Sequence, residues 1–226
     1  MFKGTSASAG IGIGKAVIVE EAELVITRNE VADAEGEIQR FRGALEKTIA
    51  ATQKMADDLA SRVGEKEAEI MQGHMMLLSD PMLTGEIESS IRNDKVNSEF
   101  AIENVCNMYA DMFASMGDEL MQQRATDMRD IKVRMQRTLM GLESVDVSLL
   151  PKGSILVAKD LTPSMTAGIN PENVSGIVTE LGGKTSHSAI LARALEIPAV
   201  VAVNGLMDAV KDGDKVVLDG STGEVF

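Results

Sequence analysis

Seven consecutive residues, Leu181-Gly182-Gly183-Lys184-Thr185-Ser186-His187, bring two glycines, two hydroxyls, one cation and a histidine into one short stretch. A strand-like run at residues 175–179 precedes it and a helix-like run at residues 188–196 follows, so the histidine is expected at a helix entrance. The first N–H groups of a helix have no internal partner, and the helix dipole adds partial positive charge there; both favour an anion. Gly182 and Gly183 permit a sharp turn and close backbone approach, while Thr185 and Ser186 can cap the helix or donate hydroxyls. Lys184 can offset negative charge. A neutral imidazole is a competent nucleophile near pH 7 and is among the side chains that form covalent intermediates. The chemistry these residue types imply is a histidine that carries phosphate. A histidine beside a Gly-Gly turn could instead be a cap with no chemistry, and the seven residues alone leave both readings open.

The longer string weighs between them. Gly182-Gly183-Lys184-Thr185-Ser186-His187-Ser188-Ala189-Ile190-Leu191-Ala192-Arg193, followed by Ile197-Pro198-Ala199-Val200-Val201, resembles the signature of the swivelling phosphohistidine domains of phosphoenolpyruvate-utilising enzymes. It follows the pattern Gly-Gly-x-Thr-Ser-His-x-x-Ile-x-Ala-Arg without departure. The resemblance implies that His187 is the phosphorylated residue. Two other phosphate motifs fail. A Walker loop ending in Gly183-Lys184-Thr185 needs Gly where Val178 stands; one ending in Gly14-Lys15 meets Ala9 and Ala16 instead of Gly and a hydroxyl. Gly10-x-Gly12-x-Gly14 also misses the dinucleotide spacing.

The composition narrows the class. The 226 residues are 44% hydrophobic and 25% charged, ordinary for a soluble globular chain with room for one large or two small domains. No run nears 18 uninterrupted apolar residues and no signal segment is evident, so neither membrane insertion nor secretion is expected and the cytoplasm is the expected location. Cys106, alone, cannot form an internal disulfide and is expected inside a helix; with only His74 and His187 beside it there is no zinc cluster. A net charge of −13 and 3% aromatics argue against nucleic acid and suit a neutral or basic protein partner.

These residues need a scaffold. Residues 1–20 read as a small, glycine-rich loop ending in one β-branched strand at Ala16-Val17-Ile18-Val19, which must pair with strands elsewhere. The glycines there suit either a ligand loop or close strand packing. From Val31 apolar residues recur at Ala34, Ile38, Phe41, Leu45, Thr48, Thr52, Met55 and Leu59, the steps of three and four of a long bundle helix, broken at Gly64. Further helical pieces follow at residues 65–78, 81–91 (after Ser79-Asp80-Pro81), 99–117 with a seam through Ile102, Val105, Tyr109, Met112 and Met116, and 118–142 with Met128, Ile131, Met135 and Leu139. The run Gly73-His74-Met75-Met76-Leu77-Leu78 holds too many large side chains for one helix face, so part of it is expected as an exposed apolar partner patch with His74 at the surface. After Leu142 strands and turns interleave with short helices. The predicted fold is an α/β swivelling phosphohistidine domain, residues 1–21 and 143–226, with an inserted all-α helical-bundle domain at residues 22–142.

The arrangement as a whole resembles the N-terminal half of the Enzyme I family, the phosphoenolpyruvate-protein phosphotransferases of the bacterial sugar phosphotransferase system. The resemblance runs over the full chain, through Gly10-Ile11-x-x-Gly14-Lys15-Ala16, Gly73-His74-x-Met76-Leu77-Leu78, Arg124-Ala125-x-Asp127-x-Arg129-Asp130-Ile131 and the His187 motif. It implies that the α/β domain accepts phosphate on Nε2 of His187 and passes it to the phosphocarrier HPr. The helical domain would bind HPr, with Glu67, His74, Met76, Leu77 and Arg124 as contact candidates. Thr166, in Leu161-Thr162-Pro163-Ser164-x-Thr166, matches a position whose hydroxyl bonds the active histidine. By the same resemblance a C-terminal barrel outside this chain binds phosphoenolpyruvate and magnesium; no cofactor is expected within residues 1–226, and the piece is expected to be monomeric. Pyruvate phosphate dikinase and phosphoenolpyruvate synthase share Gly-Gly-x-Thr-x-His but not the helical insertion. A non-enzymatic helical interaction module with a vestigial His187 is the alternative from another class.

Overall fold

The computed structural model describes residues 1–226. They form two compact units, one of Met1–Glu21, Leu59–Glu67 and Val145–Phe226, the other of Ala22–Asp58 and Ala68–Ser144. Leu59–Glu67 lies inside the stretch expected to be wholly helical insert, yet groups with the first unit.

The first unit is built on one sheet. Its strands are β1 (Phe2–Lys3), β2 (Thr5–Ser8), β3 (Ile11–Ile18), β4 (Ser154–Ala158), β5 (Val174–Thr179), β6 (Ala199–Val201), β7 (Lys215–Asp219) and β8 (Glu224–Val225), in the spatial order β1-β8-β7-β3-β4-β5-β6-β2. β3, β4, β5 and β6 run parallel, and β7, β8, β1 and β2 add antiparallel pairs. Parallel neighbours need a long crossover. For β3 and β4 that crossover is the entire helical region, which is why the glycine-rich start of the chain and its C-terminal third share one sheet.

Residues 1–14 depart from the loop expected of them. β1 and β2 are separated only by Gly4, yet β1 pairs with β8 and β2 with β6, at the two ends of the strand order. A single extended stretch therefore joins both edges, and the sheet closes on itself, leaving no long unpaired edge. The glycines of β3 serve strand packing: a Cβ on Gly14 would sit 2.1 Å from the Gly153 carbonyl oxygen, and one on Gly12 would sit 2.6 Å from that of Ser175.

Strand residues alternate between two cores. Leu156, Ala158, Ile177, Ala199 and Val201 face one cluster, together with Ala189 and Ala192; Ile155, Val157, Val178 and Val200 face another with Ala16, Val216, Leu218 and Val225. With both faces covered, β4 is buried along its whole length and reads in sequence as a continuous apolar run. The covering helices are short: α6 (Pro163–Ala167), α7 (His187–Ala194) and α8 (Leu206–Ala209).

The second unit draws on α1 (Ala34–Arg62), α2 (Glu65–Leu78), α3 (Pro81–Asp94), α4 (Ser98–Ser115) and α5 (Glu119–Met140). Asp80 caps α3 by accepting from the Met82 N–H with Pro81 at the first position, and Asp118 caps α5 through the Met121 N–H. Ile38, Phe41, Leu78, Ile87, Ile102, Ile131 and Met135 form the centre of the core. Val31 precedes the helix rather than opening it: its N–H bonds Lys95 O beside an extended bridge between Glu30 and Val96. Met112 and Met116, expected in the α4 seam, are exposed, and the buried line is Ala101, Ile102, Val105, Cys106 and Ala110. Burial pushes the Cys106 thiol up to about 12. No helix is long and apolar enough to cross a membrane.

Because β3 and β4 meet where Gly14 has no room for a side chain, Gly14→Ala should destabilise the chain by about 1–3 kcal/mol, the usual cost of forcing an added methyl into packed structure. Urea unfolding at unchanged m-value, compared with wild type, checks this.

Candidate functional site

The His187 segment occupies the turn between β5 and α7. Gly182 has φ +100°, a conformation that side-chain-bearing residues rarely adopt, and this turns the chain out of the sheet. The turn is pinned at several points. Leu181 N–H bonds Lys159 O at 2.8 Å, Thr179 Oγ1 donates to Leu181 O at 2.6 Å, and Ser186 N–H returns to Gly183 O at 3.0 Å. Ser186 is the N-cap of α7, its Oγ accepting from the Ala189 N–H at 3.3 Å and lying 3.0 Å from Ser188 Oγ. His187 is thus the first residue of the helix, where backbone donors and the positive dipole end gather. Lys184 and Thr185 are exposed, and Gly183 and His187 are half-buried. Both ring nitrogens of His187 are screened from solvent.

Arg193, present in the motif but given no role from sequence, spans the loop from behind. Its Nη1 donates to Ala7 O at 2.9 Å and its Nη2 to Lys184 O at 3.0 Å, tying the phosphate-sized turn to β2. The Ala-Arg pair that ends the motif was the available signal. Thr166, on α6, is 2% exposed, and α6 packs against α7. Its hydroxyl donates to Pro163 O at 2.8 Å, with Thr162 O at 3.3 Å. A hydroxyl has one proton and two lone pairs, so Thr166 Oγ1 can meet an imidazole only as acceptor.

The residues singled out on the helical part do not share one environment. Met76 is 69% exposed, Leu77 is half-buried against the bundle core, and Arg124 on α5 is half-buried with Nη1 lying over Gly73. Glu67, in the first turn of α2, falls in the tip segment that groups with the α/β unit.

His74 is a correction. It was expected at the surface as a partner contact, and it is fully buried. His74 lies three residues after Met71 and four before Leu78, both buried, so it falls on the core face of α2. There its Nε2 meets Asp127 Oδ1 at 3.0 Å, its Nδ1 lies 3.5 Å from Arg134 Nη1 and 4.0 Å from Asp130 Oδ2, and Arg134 Nη2 donates to Thr52 Oγ1 at 2.6 Å. Burial pushes the Arg134 pKa down while Asp130 opposes it. One polar cluster therefore ties α1, α2 and α5 together inside the bundle.

No three His, Cys, Asp or Glu side chains gather into a set that could hold a metal ion. Magnesium finds no fitting ligand set in these residues.

Residues 3–124 match the family model described as PEP-utilising enzyme, N-terminal, and residues 150–223 match that described as PEP-utilising enzyme, mobile domain. Over 225 residues the chain is 41% identical to a phosphoenolpyruvate-protein phosphotransferase of Bacillus subtilis and 43% identical to one of Listeria monocytogenes. All of this chain is covered in both alignments, against 40% and 39% of those proteins, so it spans about two fifths of their length. An NMR solution structure of an Enzyme I protein superposes with TM-score 0.86 at 40% identity, covering 100% of this chain and 92% of that one. A structure described as the N-terminal domain of Enzyme 1 - Nitrogen shares the fold at TM-score 0.65 and 24% identity, covering 100% and 93% of the two chains.

Removing His74 would take one hydrogen-bond partner, 3.0 Å away, from the buried Asp127 carboxylate. His74→Ala should cost about 1–3 kcal/mol of stability, the usual penalty when a buried polar group loses a hydrogen-bond partner, and the double variant His74→Ala/Asp127→Ala should cost less than the sum of the two single changes. Urea unfolding of the three variants measures both quantities.

Proposed function

The chain belongs to the PEP-utilising enzymes, and from that premise we propose that it carries phosphate on His187 within a phosphoenolpyruvate-protein phosphotransferase acting in the cytoplasm. His187 takes the phosphoryl group that originates in phosphoenolpyruvate and exchanges it with a histidine of HPr. The observation that carries this reading is the position of His187 as first residue of α7, after a Ser186 cap and a Gly182-Gly183 turn.

The resemblance implies a bond between the Thr166 hydroxyl and the active histidine, and that bond would set the tautomer. The Thr166 hydroxyl proton goes to Pro163 O, so a bond to His187 uses the ring Nδ1–H as donor and Thr166 Oγ1 as acceptor. That arrangement leaves the lone pair on Nε2, which is then the nucleophile. As Nε2 attacks, the bond from phosphorus to the donor nitrogen breaks and its electron pair stays on the donor ring; the Nδ1 proton remains toward Thr166, and no general base is required. Such transfers depend chiefly on alignment and charge stabilisation. The N–H groups at Gly182, Gly183 and the start of α7 would supply donors to the phosphoryl oxygens, with Thr185 and Ser186 hydroxyls alongside and Lys184 as a mobile cation. Transfer between two imidazoles is chemically symmetric and should run in either direction.

HPr docking is assigned to the helical unit. Exposed Met76 on α2, Met108 and Met112 on α4 and Met116 just past its end support an apolar contact, and the net charge of −13 suits a basic partner steered electrostatically. Leu77 and Arg124 are the further contacts proposed on this unit, and Glu67 is a proposed contact that belongs to the tip segment of the other; His74 acts from beneath, through packing. The division into an α/β phosphohistidine domain and a helical HPr-binding domain is part of the same proposal, as is a monomeric state for this piece.

Mixed with HPr phosphorylated on its histidine, the chain should gain acid-labile phosphate, and His187→Ala should abolish that gain without altering the far-UV circular dichroism. Label recovered on any other residue would remove His187 from the role. With phosphoenolpyruvate and magnesium alone, HPr and longer enzyme being rigorously absent, the chain should gain no label, since no carboxylate set to hold the metal is found in residues 1–226; label on His187 in that experiment would place the donor site within them.

A further inference from the structure

Thr166 depends on α6, a helix of five residues. So short a helix is marginal alone, because nucleation fixes several residues for its first hydrogen bond, and its last carbonyls have no partner within it. Ala167 O and Ile169 O, at that C-terminal end, are both taken by one side chain. Arg62 donates Nη2 to Ala167 O and Nη1 to Ile169 O, each at 2.8 Å. Arg62 is the last residue of α1, 105 and 107 positions away in sequence from the carbonyls it binds. It belongs to Leu59–Glu67, the tip segment that groups with the α/β unit, so both ends of the contact lie in one compact body.

Three properties suit Arg62 to this task. Its cation meets the negative end of the α6 dipole. Its planar fork reaches two carbonyls at once, which a single ammonium group cannot do with the same rigidity. The carbonyls it holds flank the turn in which Ile169 N–H bonds Thr166 O at 3.2 Å and Gly168 N–H bonds Met165 O at 3.1 Å, so the clamp fixes the peptide of Thr166 itself.

Building on the reading of His187 as phosphate carrier, we propose that Arg62 is a positioning residue for phosphoryl transfer. By closing the C-terminal end of α6 it holds that helix, with Thr166 on it, against α7, and so keeps the His187 imidazole at the head of α7 aligned for the incoming phosphorus. Arg62 touches neither phosphate nor partner in this role.

The test compares wild type, Arg62→Met and Arg62→Lys in exchange of labelled phosphate with phosphorylated HPr, measuring the rate at saturating HPr, the half-saturating HPr concentration and the melting temperature. Arg62→Met should lower the saturating rate about tenfold or more, in keeping with the cost of small misalignments at a reacting centre. Its half-saturating concentration and melting temperature should stay at wild-type values, amide exchange at Gly168 and Ile169 should quicken, and Arg62→Lys should recover part of the rate. A wild-type saturating rate in Arg62→Met, a loss confined to half-saturation, or a loss that tracks a lowered melting temperature with no recovery in Arg62→Lys would overturn the assignment. If wild type accepts no phosphate, it is the carrier reading of His187 that falls; wild-type acceptance with an unimpaired Arg62→Met removes Arg62 alone.

Discussion

A strand needs neighbours, and the first strands of this chain find theirs 196 to 223 residues away. Phe2 pairs with Val225, Thr5 with Val201 and Ile11 with Asp219. These pairings close the sheet and place β3 beside β4, and much else follows from that. The parallel step from β3 to β4 leaves the helical region as a crossover inserted in sequence. Close approach of β3 to its neighbours excludes side chains at Gly12 and Gly14. The same closure brings Ala7 of β2 to the Arg193 guanidinium, so the N-terminal stretch takes part in holding the loop that precedes His187.

The candidate site is supported from three directions in sequence. β5 delivers the turn, β2 anchors it through Arg193, and α6 stands beside α7 with Thr166. α6 is in turn held by the end of α1. The histidine proposed to carry phosphate therefore rests on a loop whose freedom is restricted by residues from both ends of the chain and from its middle. Such restriction is what a transfer between two imidazoles requires, because the reacting atoms bring adequate chemistry and the protein supplies chiefly alignment.

The helical unit shows the opposite use of polarity. His74, Asp127, Asp130, Arg134 and Thr52 gather polar atoms inside the bundle, while methionines stand outside it on α2 and α4. Buried ionisable groups of this kind contribute little net stability but penalise their own disruption heavily. Holding α1, α2 and α5 in one register sets which side chains of α2 reach the surface. Met76 is presented outward because His74, two residues earlier, is held inward.

The amino-acid order by itself determined the local chemistry and the periodic elements. The Gly-Gly-Lys-Thr-Ser-His string located the turn and the helix start, because caps and glycine turns are decided by residues adjacent in sequence. Steps of three and four located α1, α4 and α5 for the same reason, and Asp80-Pro81 marked the start of α3. Non-local partners decided the rest. Phe2–Ser8 has the small residues of a loop and becomes strand only because two distant edges need closing. His74 looked like a surface residue because the acids and the arginine that bury it lie on α5. Nothing near Arg62 in sequence announces that it caps a helix a hundred residues on; that contact exists only once the tip of α1 and the end of α6 have been folded into the same body.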